Sequence, residues 1–154
     1  MPINSRLRAF LDYAHVPYRT VRHSPAYTAQ ETAALSHVSG KRMLKCVMFR
    51  ADGRHYLAVT RADKKVDLEK CRRALGVSDA EIEREDEFRR VFEDCELGAM
   101  PPFGNLWGIQ TIVDEEVPKG TEVAFNAGDH ATLIEMAFDD YDRLVHPRHA
   151  PIAA

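Results

Sequence analysis

The segment MLKCVMFRADGRHYLAVT, residues 43–60, consists of two extended runs separated by Asp52-Gly53, the dipeptide that a two-residue hairpin turn with positive φ at both central positions selects. The expectation is a β-hairpin, Met43–Ala51 with Arg54–Thr60. In its first strand Leu44, Cys46 and Met48 alternate with Val47 and Phe49, so both faces are apolar and the strand belongs in the interior of a sheet. Lys45 stands on the Val47–Phe49 face. An unpaired ammonium among apolar side chains is costly. Lys45 therefore either snorkels to the sheet edge or projects into a cleft where it meets an anion or a polarised carbonyl.

Upstream of the hairpin, Leu7, Phe10, Leu11 and Ala14 recur at helical spacing behind Asn4 and Ser5, and Pro17 ends the run. Tyr18–Arg22 alternates as a short strand, and His23-Ser24-Pro25-Ala26 breaks it. Thr28-Ala29-Gln30-Glu31 has capping-box spacing and opens a helix expected over Ala29–His37, closed by Gly40. Downstream, Asp67 caps a helix carrying Leu68, Cys71 and Leu75, with Gly76 at its C-terminal stop. Residues Ser78–Glu96 are crowded with carboxylates, and Phe88, Val91 and Phe92 predict a short helix there with a solvated face. Leu106–Val113 and Glu122–Asn126 predict strands separated by Pro118-Lys119-Gly120. Ala131–Ala137 reads as a strand or a helix start, Asp139–Val145 as a closing helix stopped by Pro147, and Pro147–Ala154 as a frayed tail. Strands and helices do not alternate regularly enough for a doubly wound sheet, so the class is α+β with a mixed sheet.

With 154 residues, 45% of them hydrophobic, the chain has enough material for one buried core, and one domain is expected over residues 1–146 with a tail over 147–154. Net charge is -3, and no apolar run approaches the ~18 residues a membrane span needs. Met1–Arg6 contains no apolar leader core, so a cytoplasmic address and no membrane partner are expected. Cys46, Cys71 and Cys95 are odd in number and lack CxxC spacing, which suggests free buried thiols rather than disulfides or a zinc site. A mildly acidic chain binds nucleic acid poorly through total charge, although a local patch still holds phosphates. GxSxG, GxxxxGK[ST] and GxGxxG patterns are all absent.

Chemistry must come from less familiar places. Gly98-Ala99-Met100-Pro101-Pro102-Phe103-Gly104 cannot be helix or central strand, because each proline fixes φ and removes a backbone donor. The loop is stiff, and its glycine lets a ligand approach the main chain, so the N–H groups of Gly98, Ala99 and Met100 are candidates to face an oxygen; the bland alternative is a surface turn. His130 follows the turn-prone Asn126-Ala127-Gly128-Asp129 at a strand end, where binding groups collect; an exposed loop histidine is the alternative. His146-Pro147-Arg148-His149 reads as solvated tail rather than metal site.

Taken together and in order, Met43–Phe49 with Lys45, the GxxxP loop Gly98–Pro102 running into Phe103-Gly104, His23–Thr28, and Asn126–His130 resemble the YbaK/prolyl-tRNA-synthetase-associated domain family, over nearly the whole chain. The resemblance implies an α+β domain with a large mixed, partly closed sheet flanked by helices. It also implies a trans-editing deacylase that hydrolyses the ester of a mischarged tRNA, tRNA-Pro with a small amino acid such as alanine. Lys45, Gly98 and Ala99 become the implied catalytic set. Met100, Pro101, Pro102, Phe103, Gly104, Asn126, Gly128 and His130 become the implied substrate contacts. No cofactor and no metal are expected; the expected partners are the tRNA acceptor end and an aminoacyl-tRNA synthetase, not DNA. Met100, Pro101 and Phe103 are bulkier or stiffer than the pocket lining of the subfamily that clears cysteine, which bears on the amino acid removed.

The chemistry needs such residues. Ester hydrolysis develops an oxyanion that stiff backbone donors stabilise without reorganising, and Lys45 would hold the terminal phosphate, the ribose or the carbonyl itself. No side chain stands out as general base, which leaves water oriented by backbone carbonyls and by the substrate's 2′-hydroxyl. Two other classes fit the same residues: a module that binds an aminoacyl end without cleaving it, separated by a turnover assay, and a hydrolase of another small ester, separated by indifference to tRNA.

Overall fold

The computed structural model describes residues 3–154; Met1 and Pro2, at the start of the N-terminal segment Met1–Arg6 considered above, lie outside the described residues. Asn4 accepts from the Leu7 N–H at 3.0 Å and starts helix α1 (Ser5–Ala14), whose Leu7 and Leu11 are fully buried. Strand β1 (Tyr18–Arg22) leads to helix α2 (Ala29–Leu35), where Thr28 Oγ1 accepts from the Glu31 N–H at 3.1 Å. Only half of the capping box read from the sequence forms, since Glu31 Oε1 accepts from the Thr28 hydroxyl at 3.0 Å rather than from its backbone N–H, and the helix stops two residues before His37, which takes a left-handed φ of 57°.

Strands β2 (Leu44–Ala51) and β3 (Arg54–Arg61) form the hairpin, with Leu44 opposite Arg61 and Ala51 opposite Arg54. Asp52 and Gly53 sit at φ 48° and 76°, the pair of positive values this turn requires. Asp67 then caps helix α3 (Leu68–Leu75). The acidic segment gives a two-residue strand, β4 (Glu81–Ile82), and a single helical turn, α4 (Glu85–Phe88). Phe88 and Phe92 are buried as their spacing implied.

The strand expected over Leu106–Val113 is shorter than read. Gly104–Trp107 forms a 3-10 turn, and β5 (Gln110–Asp114) begins only after it. The apolar Leu106 and Trp107 cap the core from a turn, which hydrophobicity alone does not distinguish from a strand. Strands β6 (Glu122–Asn126) and β7 (Thr132–Ala137), helix α5 (Phe138–Val145) and strand β8 (Arg148–Ala150) complete the chain.

The expected frayed tail is replaced by ordered structure. β8 pairs in parallel with β5, Ile152 is fully buried, and the buried Asp114 carboxylate accepts from the Ile152 and Ala153 N–H groups at 2.8 and 3.0 Å. His149, at the surface, lies 2.6 Å from Asp142, and the exposed His146 closes α5 in a left-handed conformation.

Instead of the one large, partly closed sheet that the resemblance implied, the strands make two open sheets, an antiparallel β1-β7-β6 and a mixed β4-β2-β3-β5-β8, flanked by helices in an α+β arrangement. They meet at one parallel bridge, Met43 to Ala124, reinforced by the Ala124 N–H donating to the Arg42 carbonyl at 3.0 Å. The main core fills the space between them. β2 is not flanked along its whole length as its two apolar faces suggested: β4 covers only Phe49 and Arg50, leaving the Lys45 end open on that side. No helix among the described residues is long and apolar enough to cross a membrane.

Candidate functional site

Beyond the Met43–Ala124 bridge the two sheets part. Two residues further along each strand come Lys45 and Asn126, and both line a pocket of about 180 Å³ together with Gly98, Met100, Cys46 and Tyr27. A register fixed by backbone pairing thus brings a cation from one sheet and an amide from the other to one cleft.

Lys45 is half-buried and makes no ion pair among the described residues. Burial, and secondarily repulsion from Lys65, holds its ammonium below the usual lysine range, opposed by the charge of Asp63. Asp63 itself is taken up by Arg61 through two contacts at 2.9 and 2.5 Å. The lysine is therefore a cation in search of an anion. Asn126 Oδ1 is buried in the protein without a hydrogen-bond partner, an acceptor whose desolvation nothing in the described fold compensates.

The Gly98 loop is fixed from behind. The Ala99 carbonyl accepts from the Gly128 N–H at 3.0 Å, and the Gly128 carbonyl accepts from the Glu96 N–H at 2.8 Å, so the two glycine loops are zipped together. Tyr141 donates its hydroxyl to the Pro102 carbonyl at 2.6 Å. Phe103 is fully buried among Phe10, Phe125 and Tyr141, with ring centroids 5.2–6.2 Å apart. A β-carbon on Gly104 would lie 2.5 Å from the Ile109 carbonyl oxygen, so the chain accepts only glycine there.

Of the three candidate backbone donors, one is already used: the Ala99 N–H closes a turn onto Glu96 O at 3.0 Å. The Gly98 N–H lies 3.2 Å from Met100 Sδ, a weak acceptor that a ligand oxygen readily displaces. The Met100 N–H makes no hydrogen bond among the described residues. Gly98 holds φ at 86°, and a β-carbon there would meet His130 Cε1 at 3.4 Å.

His130 backs this loop rather than lining the pocket. Its N–H donates to Glu96 Oε1 at 2.7 Å and its Nε2 lies 2.8 Å from the Leu97 carbonyl. A carbonyl only accepts, so Nε2 carries the proton. The implied contacts thus divide. Lys45, Gly98, Met100 and Asn126 converge on the pocket; Ala99, Pro101, Pro102, Phe103 and Gly104 are buried behind it as its support; Gly128 and His130 join the support to a second recess.

That recess is larger, about 680 Å³, and is faced by Glu93, Asp94, Glu96 and Asp129. Its carboxylates repel phosphate, so size does not make it the reacting site. Thiolate chemistry is disfavoured as well: burial raises Cys46 well above the ordinary thiol range and Cys95 to about 12. Tyr27 and Tyr141 were not singled out from sequence. Tyr27 had a signal in its neighbourhood, the His23–Thr28 motif, whereas Tyr141 sits in the closing helix with nothing local to mark its hydroxyl's target.

Comparison with known proteins bears on this arrangement. A family model described as the aminoacyl-tRNA editing domain matches residues 23–144. The chain is 26% identical over 143 residues to the prolyl-tRNA editing protein ProX of Acetoanaerobium sticklandii, covering 89% of this chain and 87% of that one. It is 29% identical over 90 residues to a proline–tRNA ligase of Geobacillus thermodenitrificans, 58% of this chain but only 16% of the ligase. In fold, it superposes on the crystal structure of the hypothetical protein APE2540 with a TM-score of 0.87 at 19% identity, over 97% of this chain and all of that one. A candidate trans-editing enzyme for prolyl tRNA synthetase gives a TM-score of 0.83 at 21% identity, over 100% and 98% of the two chains. The motifs around Lys45, Gly98 and Gly128 and the match across most of the length agree: the chain belongs to the aminoacyl-tRNA editing domain family.

Proposed function

We propose that the protein is a trans-editing deacylase that hydrolyses the ester between a small amino acid, such as alanine, and the 3′ end of tRNA-Pro. The observation that carries this reading is the convergence of Lys45, Gly98, Met100 and Asn126 on one small pocket between the sheets. Kinship with a prolyl-tRNA editing protein and with proline–tRNA ligases supports the choice of tRNA and of a synthetase as neighbour.

The pocket's 180 Å³ is below the roughly 300–1,000 Å³ of sites that enclose a whole drug-sized ligand. It suits a small aminoacyl group, with the nucleotide left outside. Lys45 binds the terminal phosphate or the ribose and fixes the ester. A water attacks the carbonyl carbon, and the oxyanion that forms is met by the N–H groups of Met100 and Gly98, displacing the flexible Met100 thioether from the latter. The carbon–oxygen bond to the ribose then breaks, the ribose oxygen takes a proton, and the free amino acid and uncharged tRNA leave. Ala99 acts in this scheme through its turn, not as a donor. The Asn126 oxygen accepts from the substrate's ammonium or hydroxyl. No step needs a metal, and the described residues contain no group of three or more His, Cys, Asp or Glu able to hold one.

Editing by size is useful because a synthetase pocket rejects a missing methylene by only ~1–3 kcal/mol. Deacylation of tRNA-Pro charged with alanine, cysteine, serine or threonine tests the reading. Turnover of alanyl-tRNA-Pro supports it; binding without turnover would make the protein a recognition module, and equal turnover of small esters without tRNA would make it a general esterase.

A further inference from the structure

We propose that Tyr27 is the stacking platform for the nucleobase of the nucleotide that carries the ester. The inference rests on the functional reading above and adds the group that recognises the alcohol side of the bond. A pocket sized for an aminoacyl group leaves the ribose and base at its mouth, and Tyr27 stands there, lining both the pocket and the neighbouring recess.

Tyr27 is 72% exposed, so the core makes little use of a ring that is expensive to leave in water. One side of it is backed by His130, with centroids 4.7 Å apart and planes inclined at 44°. His130 is itself held by Leu97 and Glu96. The backbone on either side of Tyr27 is also pinned: the Ala26 N–H donates to the His130 carbonyl at 3.0 Å, and Thr28 caps α2. The ring is therefore presented at the mouth, braced from behind and open in front, so stacking a base on it orders little else. Base-on-aromatic stacking tolerates any base, as a platform for a shared acceptor end requires. Charge assigns the two sides: phosphate goes toward Lys45, because the carboxylates of Glu93, Glu96 and Asp129 line the recess on the Tyr27 side.

The test compares two substrates, the alanyl ester of adenosine 5′-monophosphate and the alanyl ester of ribose 5-phosphate, which lacks the base but keeps the phosphate. The wild-type protein is expected to favour the base-bearing ester in kcat/KM by about tenfold or more, mainly through KM. Tyr27→Phe keeps that preference. Tyr27→Leu, which retains bulk without a π face, loses it while melting within a degree or two of the parent. Tyr27→Leu retaining the preference, or losing rate equally on both esters, overturns the platform and leaves Tyr27 as a brace for His130. A wild-type protein that cleaves neither ester but cleaves alanyl-tRNA-Pro also overturns it, whereas failure on all three overturns the deacylase reading and this inference with it.

Discussion

The buried hydroxyl of Tyr141 donates to the carbonyl of Pro102 at 2.6 Å, tying helix α5 to the back of the loop whose front faces Lys45. Proline cannot donate, and the Pro101 carbonyl is taken locally by the Phe103 N–H at 2.8 Å, so the Pro102 carbonyl is the handle by which α5 grips the Pro-Pro turn. Tyr141→Phe removes the donor and leaves the carbonyl buried and unpaired, at a cost of about 1–3 kcal/mol. Thermal unfolding should show a drop of a few degrees, accompanied by a several-fold loss of kcat as the loop loosens. An unchanged melting temperature would mean that the bond contributes nothing.

Gly98→Val places a β-branched residue at φ 86° and a β-carbon against His130. The left-handed conformation costs roughly 1–2 kcal/mol, and the displaced N–H groups should reduce kcat on the order of a hundredfold. Urea unfolding and single-turnover deacylation, measured on the same preparation, separate the two. Loss of activity no larger than the loss of stability predicts would return the loop to an ordinary turn. Pro102→Ala should act in the same direction more weakly.

Lys45 makes stability depend on pH in a definite sense. Its ammonium is disfavoured in the fold, mainly by burial, relative to the ordinary lysine value of 10.5, so the penalty is complete at neutral pH and is relieved as pH rises through the depressed value toward 10.5. Lys45→Met should therefore melt higher than the parent near pH 7, with the difference shrinking toward pH 10.5. A difference that stays constant, or grows, with alkalinity would contradict the desolvation of Lys45.

Turnover should survive exhaustive dialysis against a strong chelator, since the reaction scheme uses backbone donors and one ammonium. Abolition by chelation with recovery on adding zinc would require a different mechanism.

Local chemistry made much of the fold legible. Asp52-Gly53 fixed the hairpin and its register, Thr28 and Asp67 marked two helix starts, and the apolar spacing of Leu7 and Leu11 gave α1. The misjudged segments are those whose state depends on distant partners. Arg148–Ala150 becomes a strand only because β5 offers an edge and Asp114 offers a buried acceptor, and Gly104–Trp107 turns because Thr111 and Ile109 close on it. The site shows the same division. Lys45 was conspicuous as a charge in an apolar strand, and the Pro-Pro loop as a rigid turn. That Phe103 and the prolines support the pocket rather than line it follows from contacts with Phe10, Phe125 and Tyr141, which spacing along one chain does not encode, whereas the Ala99 N–H is taken by a local turn onto Glu96 that the composition of the loop does not announce.

The most direct measurement is the single-turnover rate of alanyl-tRNA-Pro deacylation by the parent protein and by Lys45→Ala, with the circular dichroism melt of each. The account predicts a rate lower by two or more orders of magnitude in a variant that melts at or above the parental temperature, and only partial recovery in Lys45→Arg, whose longer planar cation does not hold the ester in the same geometry. A folded Lys45→Ala protein that clears alanyl-tRNA-Pro at the parental rate would contradict it.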